Sequence, residues 1–213
     1  MIGILDLDIG NLRNVTKAID ALGFDCALVD QAAQLEPLSH LVIPGVGAYS
    51  TAARHLDEKA LRGAVQAFAK SGRPVLGICL GMEILSEHGE EGGDSDGLGL
   101  VPGVVRRMAP GPGVDLPHVG WNGLRFHVEH PVFRGVKSGV DFYFVHSYAF
   151  DDPDPACVYA STSYGREFPS IVGRRNVVGL QFHPEKSQSN GLRLLENFCN
   201  WDGSLLSVRG AGG

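Results

Sequence analysis

The sequence predicts an α/β domain: a mostly parallel central sheet with helices on both faces, plus a smaller antiparallel region in the second half. Three observations predict it. Short, wholly apolar runs recur in the first half, at Ile2–Leu5, Leu41–Ile43 and Pro74–Ile78. Segments of helical period separate those runs. In the second half the apolar runs become short, aromatic and closely spaced, as in hairpins.

Ile2–Leu5 reads as a buried strand. Asn11 is placed to cap a helix running to about Leu22, with Leu12, Val15, Ala18, Ile19 and Leu22 on one face and Gly23 as the stop. Phe24–Val29 is a second strand, and Leu41–Ile43 a third, closed by Pro44-Gly45. Residues 51–70 have helical period with a break near Ala60. Pro74–Ile78 is a fourth strand, followed by a helix over Leu80–Glu87. Gly89–Gly99 and Ala109–Pro117 read as exposed loops. Strands follow near 124–128, 142–146, 157–161, 169–174 and 177–182, and then a helix over Gln188–Trp201. Residues 1–201 form one domain, with 202–213 a small-residue tail expected to fray.

The formal net charge of −6 is spread over mixed acids and bases, without the basic stripe of a nucleic-acid-binding surface. No apolar run approaches the ~20 residues that span a bilayer, and the first residues lack the basic start of a signal peptide. A cytoplasmic location is expected, with neither membrane nor nucleic acid as partner. Cys26, Cys79, Cys157 and Cys199 are scattered and expected as free thiols. Neither metal nor cofactor is expected. His127-Val128-Glu129-His130 lacks the i, i+4 spacing of a zinc helix, and no phosphate loop of the G-x-x-x-x-G-K type occurs.

Chemistry concentrates in three segments. Gly77-Ile78-Cys79-Leu80-Gly81 stands where a buried strand turns into a helix, the pattern of a nucleophile elbow with cysteine as nucleophile. A helix N-terminus there favours the thiolate, although a buried core cysteine is the plainer alternative. Gln181-Phe182-His183-Pro184-Glu185 follows an apolar strand and supplies a base, His183, with a carboxylate, Glu185, two residues on to orient it. Taken alone, it is equally a surface turn. Pro44-Gly45-Val46-Gly47 ends the third strand with glycines that let backbone N–H groups approach a developing oxyanion, unless it is an ordinary turn. His146 ends an aromatic strand and reads as a packed histidine that could also line a site.

Together these segments resemble the class I, or triad-type, glutamine amidotransferases, and among them the glutaminase subunits of imidazole glycerol phosphate synthase. The resemblance also rests on Gly10-Asn11-Leu12-Arg13-Asn14-Val15, Pro117-His118-Val119-Gly120-Trp121-Asn122, Tyr143-Phe144-Val145-His146-Ser147-Tyr148 and Gly179 through Ser187. It implies a flavodoxin-like sheet, glutamine as substrate, and a Cys79–His183–Glu185 triad. It implies oxyanion donors at Leu80 and at the Val46-Gly47 turn, and glutamine held by Gly47, Ser147 and Tyr148. It implies a synthase partner, a (β/α)8-barrel cyclase, in a heterodimer that shields ammonia, with Asn11, Asn14, Trp121, Asn122 and Lys186 facing it. Two positions depart from the family: Glu83 stands where glutamine is usual at the substrate's amino-acid end, and Asp6-Leu7-Asp8-Ile9 replaces an Asp-Tyr-Gly start. Other readings are an ammonia-supplying subunit for amidino-sugar formation, a stand-alone thiol hydrolase, and a non-catalytic subunit whose glutamine pocket Glu83 has spoiled.

Overall fold

The computed structural model describes residues 1–109, 111, 114–151 and 153–205. Strands β1 (Ile2–Leu5), β2 (Cys26–Val29), β3 (His40–Gly45) and β4 (Val75–Cys79) alternate with helices α1 (Leu12–Ala21), α2 (Tyr49–Glu58) and α3 (Arg62–Lys70). Ala60, in a left-handed conformation at φ 53°, makes the expected break between α2 and α3. The elbow leads into a four-residue α4 (Leu80–Glu83), then β5 (His88–Gly89), β6 (Ser95–Asp96), β7 (Val104–Arg107), β8 (His118–Gly123) and β9 (Arg125–Phe126). The chain closes with β10 (Asp141–His146), β11 (Tyr148–Asp151), β12 (Val158–Tyr164), β13 (Arg166–Arg174), β14 (Val177–Leu180) and α5 (Gln188–Cys199).

The main sheet runs β2-β1-β3-β4-β14-β13-β12-β9. From β2 to β14 the pairing is parallel; β13, β12 and β9 extend it antiparallel. Side chains alternate between two cores, because successive residues of a strand face opposite ways. Ile4, Val42, Ile78 and Leu180 pack under α1 and α5, through Ile19 and Phe198. Leu5, Ile43, Val75 and Val177 pack under α2 and α3, through Leu56 and Phe68. Each such side chain contributes about 1.5–3 kcal/mol by leaving water. The carboxyl ends of β3, β4 and β14 therefore meet at one edge, where open α/β sheets bind ligands.

Several expectations are corrected. Asn11 sits at the N-cap of α1 at φ 66°, but its side chain makes no capping bond. The helix after Cys79 stops at Glu83, because Leu85 and Ser86 donate back three residues, to Met82 and Glu83, and the chain then leaves to form β5. The 118–123 segment is a strand paired with β10, so the expected 124–128 strand shrinks to β9. β7 and β11 form an antiparallel pair that the apolar pattern did not announce. At the far end Trp201 is buried and donates to the Ser204 carbonyl at 2.7 Å, whereas 206–213 of the expected tail lie outside the described residues.

Candidate active site

Cys79 ends β4 in a strained conformation, φ 55° and ψ −114°, on the sharp turn into α4. The flanking glycines are steric necessities. A Cβ on Gly77 would lie 2.3 Å from the Gly81 carbonyl oxygen, and one on Gly81 would lie 1.6 Å from the Ile43 carbonyl oxygen. Strand β4 can turn this tightly beside β3 only because both positions lack a side chain. The tight strand-to-helix turn expected from the sequence is present at Cys79.

Cys79 opens onto a cavity of about 480 Å³, within the range of small-molecule sites. Val46, Gly47, Leu80, Glu83, Ser147 and Tyr148, all expected at the oxyanion or substrate, line it together with Ala48, Glu91, Pro117, Val145 and His146. Glu91 was missed because the 89–99 segment reads as a solvated loop. In the structure that loop folds back over α2: Tyr49 N–H donates to the Glu91 carboxylate at 3.2 Å, and Ser50 N–H to the Glu91 carbonyl at 3.0 Å. No pattern in the sequence marks that contact. His146 is both packed and lining: it donates through Nδ1 to the Tyr148 carbonyl at 2.8 Å and accepts from His118 Nδ1 at 3.0 Å. Burial pushes His146 down to about 3, so it is neutral.

His183 and Glu185 follow β14, the strand next to β4, and are buried. His183 Nδ1 and Glu185 Oε1 are 2.8 Å apart. Burial alone would raise the Glu185 carboxyl. The His183 hydrogen bond and charge, with help from Asn11, reverse that and hold it below the usual carboxylate range. An ionised Glu185 fixes the tautomer: Nδ1 carries the proton and Nε2 the lone pair. Asn11 Nδ2 also donates to Glu185 Oε1, and Asn14 Nδ2 donates to Asn11 Oδ1 at 2.9 Å. Asn11 Nδ2 lies 3.4 Å from His183 Nδ1, but that nitrogen already spends its proton on Glu185, so the amide's partner is the carboxylate.

The sulfur side is less complete. The Cys79 thiol lies 3.8 Å from the Val145 carbonyl, no hydrogen bond joins it to His183, and His183 Nε2 is buried without a partner among the described residues. The expected hydrogen-bonded relay thus stops at the imidazole; such bonds often tighten only when substrate arrives. The surroundings of the sulfur also oppose the thiolate expected from a helix N-terminus. Burial pushes the thiol well above its ordinary value, and Glu83 pushes it further whenever it is ionised, against the lowering effect of Leu80 N–H. Of the expected oxyanion donors, Leu80 N–H faces the sulfur. Val46 N–H is instead taken by the Ile9 carbonyl at 3.3 Å, because the turn after β1 lies against it. Glu83 is buried, accepts from Gln181 Nε2 at 2.8 Å, and is pushed up to about 8 by burial.

The expected partner-facing residues lie in two groups. Trp121 is 47% exposed, stands 6.0 Å from Tyr143 on the β8–β10 ribbon, and shares that ring with the Lys186 ammonium, 5.7 Å from its centroid. Asn122 is half-buried and donates to the Ser163 carbonyl at 2.9 Å. Asn11 and Asn14 stand instead behind Glu185, as described above.

Residues 4–201 match the family described as "Glutamine amidotransferase class-I". The chain is 45% identical over 206 residues to the imidazole glycerol phosphate synthase subunit HisH of Symbiobacterium thermophilum, covering 97% of this chain and 96% of that one. It is 46% identical over 203 residues to the protein of the same name from Desulfitobacterium hafniense, covering 94% of each. Among solved structures it is similar to a crystal structure of glutamine amidotransferase, with a TM-score of 0.73 at 23% identity over 95% of this chain and 98% of that one. Similarity extends to the structure of PurLQS from Thermotoga maritima, with a TM-score of 0.72 at 18% identity over 93% and 97% of the two chains. At such identities these two likenesses speak for the fold.

Proposed function

The chain belongs to the class I glutamine amidotransferase family, and from that premise we propose that it is the glutaminase subunit of a histidine-pathway synthase, releasing ammonia from glutamine for a cyclase partner. One observation carries the reading: a cysteine on a strained elbow lines a cavity roomy enough for an amino acid, one strand from an ionised Glu185 that leaves His183 Nε2 free as a base.

The resting thiol is protonated, so the reaction begins with a proton transfer. His183 Nε2 takes the Sγ proton as sulfur attacks the side-chain amide carbon of glutamine. The carbonyl oxygen becomes an oxyanion, facing Leu80 N–H and, once its amide is released from Ile9, the Val46-Gly47 turn. The imidazolium returns its proton to the amide nitrogen, ammonia leaves, and a glutamyl thioester remains on Cys79. Water, deprotonated by the same nitrogen, adds to the thioester; glutamate departs and the thiol is restored. Glu185 keeps its charge throughout and stabilises the imidazolium. Glu91 on the cavity wall suits the substrate ammonium, and the Ser147-Tyr148 bend its backbone.

We propose that the partner docks beside exposed Trp121 and Lys186, and that Asn11, Asn14 and Asn122, which lie apart from that pair, also contribute to the interface. Val119 and Trp121, alternate residues of β8, are exposed apolar side chains on one side of that strand, which favours docking there. Cytoplasmic residence fits the reading. To test it, glutamate release from glutamine is measured on the complex with a barrel cyclase. Native complex should turn over, and Cys79→Ala should fall by at least about 10³-fold. An unchanged rate in Cys79→Ala removes the assignment.

A further inference from the structure

Glu83 is 3% exposed and lies on the same cavity wall as Cys79. Four groups face it: Gln181 after β14, Glu91 from the loop between β5 and β6, the Tyr49 phenol from α2, and the Cys79 thiol on its own turn. None is a cation. The only one that hydrogen-bonds it is a neutral carboxamide, Gln181 Nε2 at 2.8 Å. Gln181 is itself fully buried, and its carbonyl Oε1 has no hydrogen-bond partner among the described residues. A buried carboxylate without a counter-charge and a buried amide oxygen without a donor are both costly. One proton on Glu83 relieves both: the acid O–H donates to Gln181 Oε1 while Gln181 Nε2 donates to the acid's carbonyl oxygen.

We propose that Glu83 works as a neutral carboxylic acid, joined to Gln181 by two hydrogen bonds, and that its neutrality lets negative charge build on the Cys79 sulfur and on the attacked amide oxygen. The proposal rests on the glutaminase reading of this cavity. Glu185 and Glu91 already bring negative charge to the site. A third carboxylate, one turn of chain from the sulfur, would hold the thiol further up and repel the substrate carboxylate; its charge acts in that direction on Cys79. Glu83 therefore sets the alkaline limit of the reaction, and burial places its own loss of a proton at about 8.

The test compares native complex with Glu83→Gln, which is uncharged at every pH and retains a donor for Gln181. For native complex kcat/KM for glutamine should fall about tenfold per pH unit above its midpoint. In Glu83→Gln that limb should move up by at least about one pH unit. Independently of activity, the infrared spectrum of the full-length native chain should show the carbonyl stretch of a protonated carboxylic acid at neutral pH, absent from Glu83→Gln. Coincident alkaline limbs, or a missing acid band, overturn the proposal. If neither complex releases glutamate near pH 6.5, the glutaminase reading fails instead, and the infrared band alone decides the state of Glu83.

Discussion

Glu185 and Glu83 are both buried glutamates whose charge reaches the Cys79 sulfur, yet their surroundings drive them apart. Burial pushes both upward. Glu185 meets an imidazole and the Asn11 amide, and those partners overturn the effect of burial. Among the described residues Glu83 hydrogen-bonds only a carboxamide, and burial wins. The contrast shows that the partner's chemistry, rather than depth in the protein, assigns a carboxyl its role. One glutamate keeps its charge to support an imidazolium, and the other stays neutral so that charge can develop nearby.

Removing the charge of Glu185 should have the largest effect. Glu185→Gln keeps the shape but removes the charge that fixes the His183 tautomer and supports its imidazolium, and kcat should fall by about 10²–10⁴-fold in the complex. A fall of less than about threefold would mean that Glu185 does not orient the base. Asn11→Ala removes one charge-assisted hydrogen bond to Glu185, of about 1.5–3 kcal/mol in general, only part of which bears on the transition state. Stopped assays should show a kcat loss of about tenfold with KM little changed.

The smallest effects, in stability, should have opposite signs with pH. Glu185 has a folded value below its unfolded one near 4.5, so its contribution is present above that value and lost as pH falls through the folded value. Glu83 has a folded value of about 8, so its contribution is present below 4.5 and lost as pH rises toward 8. In melting curves from pH 4 to 9, Glu83→Gln should gain on the native protein steadily up to about pH 8. Glu185→Gln should trail the native protein above pH 5 and approach it in acid. Parallel curves for all three proteins would erase the contrast between the two glutamates.

Much of this site is legible in the sequence because it depends on short-range rules. Gly77 and Gly81 betray a turn that no Cβ could enter, and the apolar run before Cys79 says which strand leads there. His183 and Glu185 are two residues apart, so their pairing is a local property. The rest required the fold. Glu91 reaches the cavity only because its loop packs on the start of α2, and Gln181 meets Glu83 only because β14 lies beside β4. Asn11 looks like a helix cap in sequence, yet it spends its amide on a carboxylate 174 positions away. Strands β7 and β11, short and mixed in polarity, carry too little period-two pattern to stand out.

Glutamine turnover at this site requires the Cys79 sulfur to become acylated. The complex, mixed with isotopically labelled glutamine and quenched in acid within one turnover, should yield a chain heavier by one glutamyl group, with fragmentation placing the label on Cys79 and none on Cys26, Cys157 or Cys199. Glutamine turnover with Cys79 unlabelled, or labelling that persists in Cys79→Ala, would contradict it.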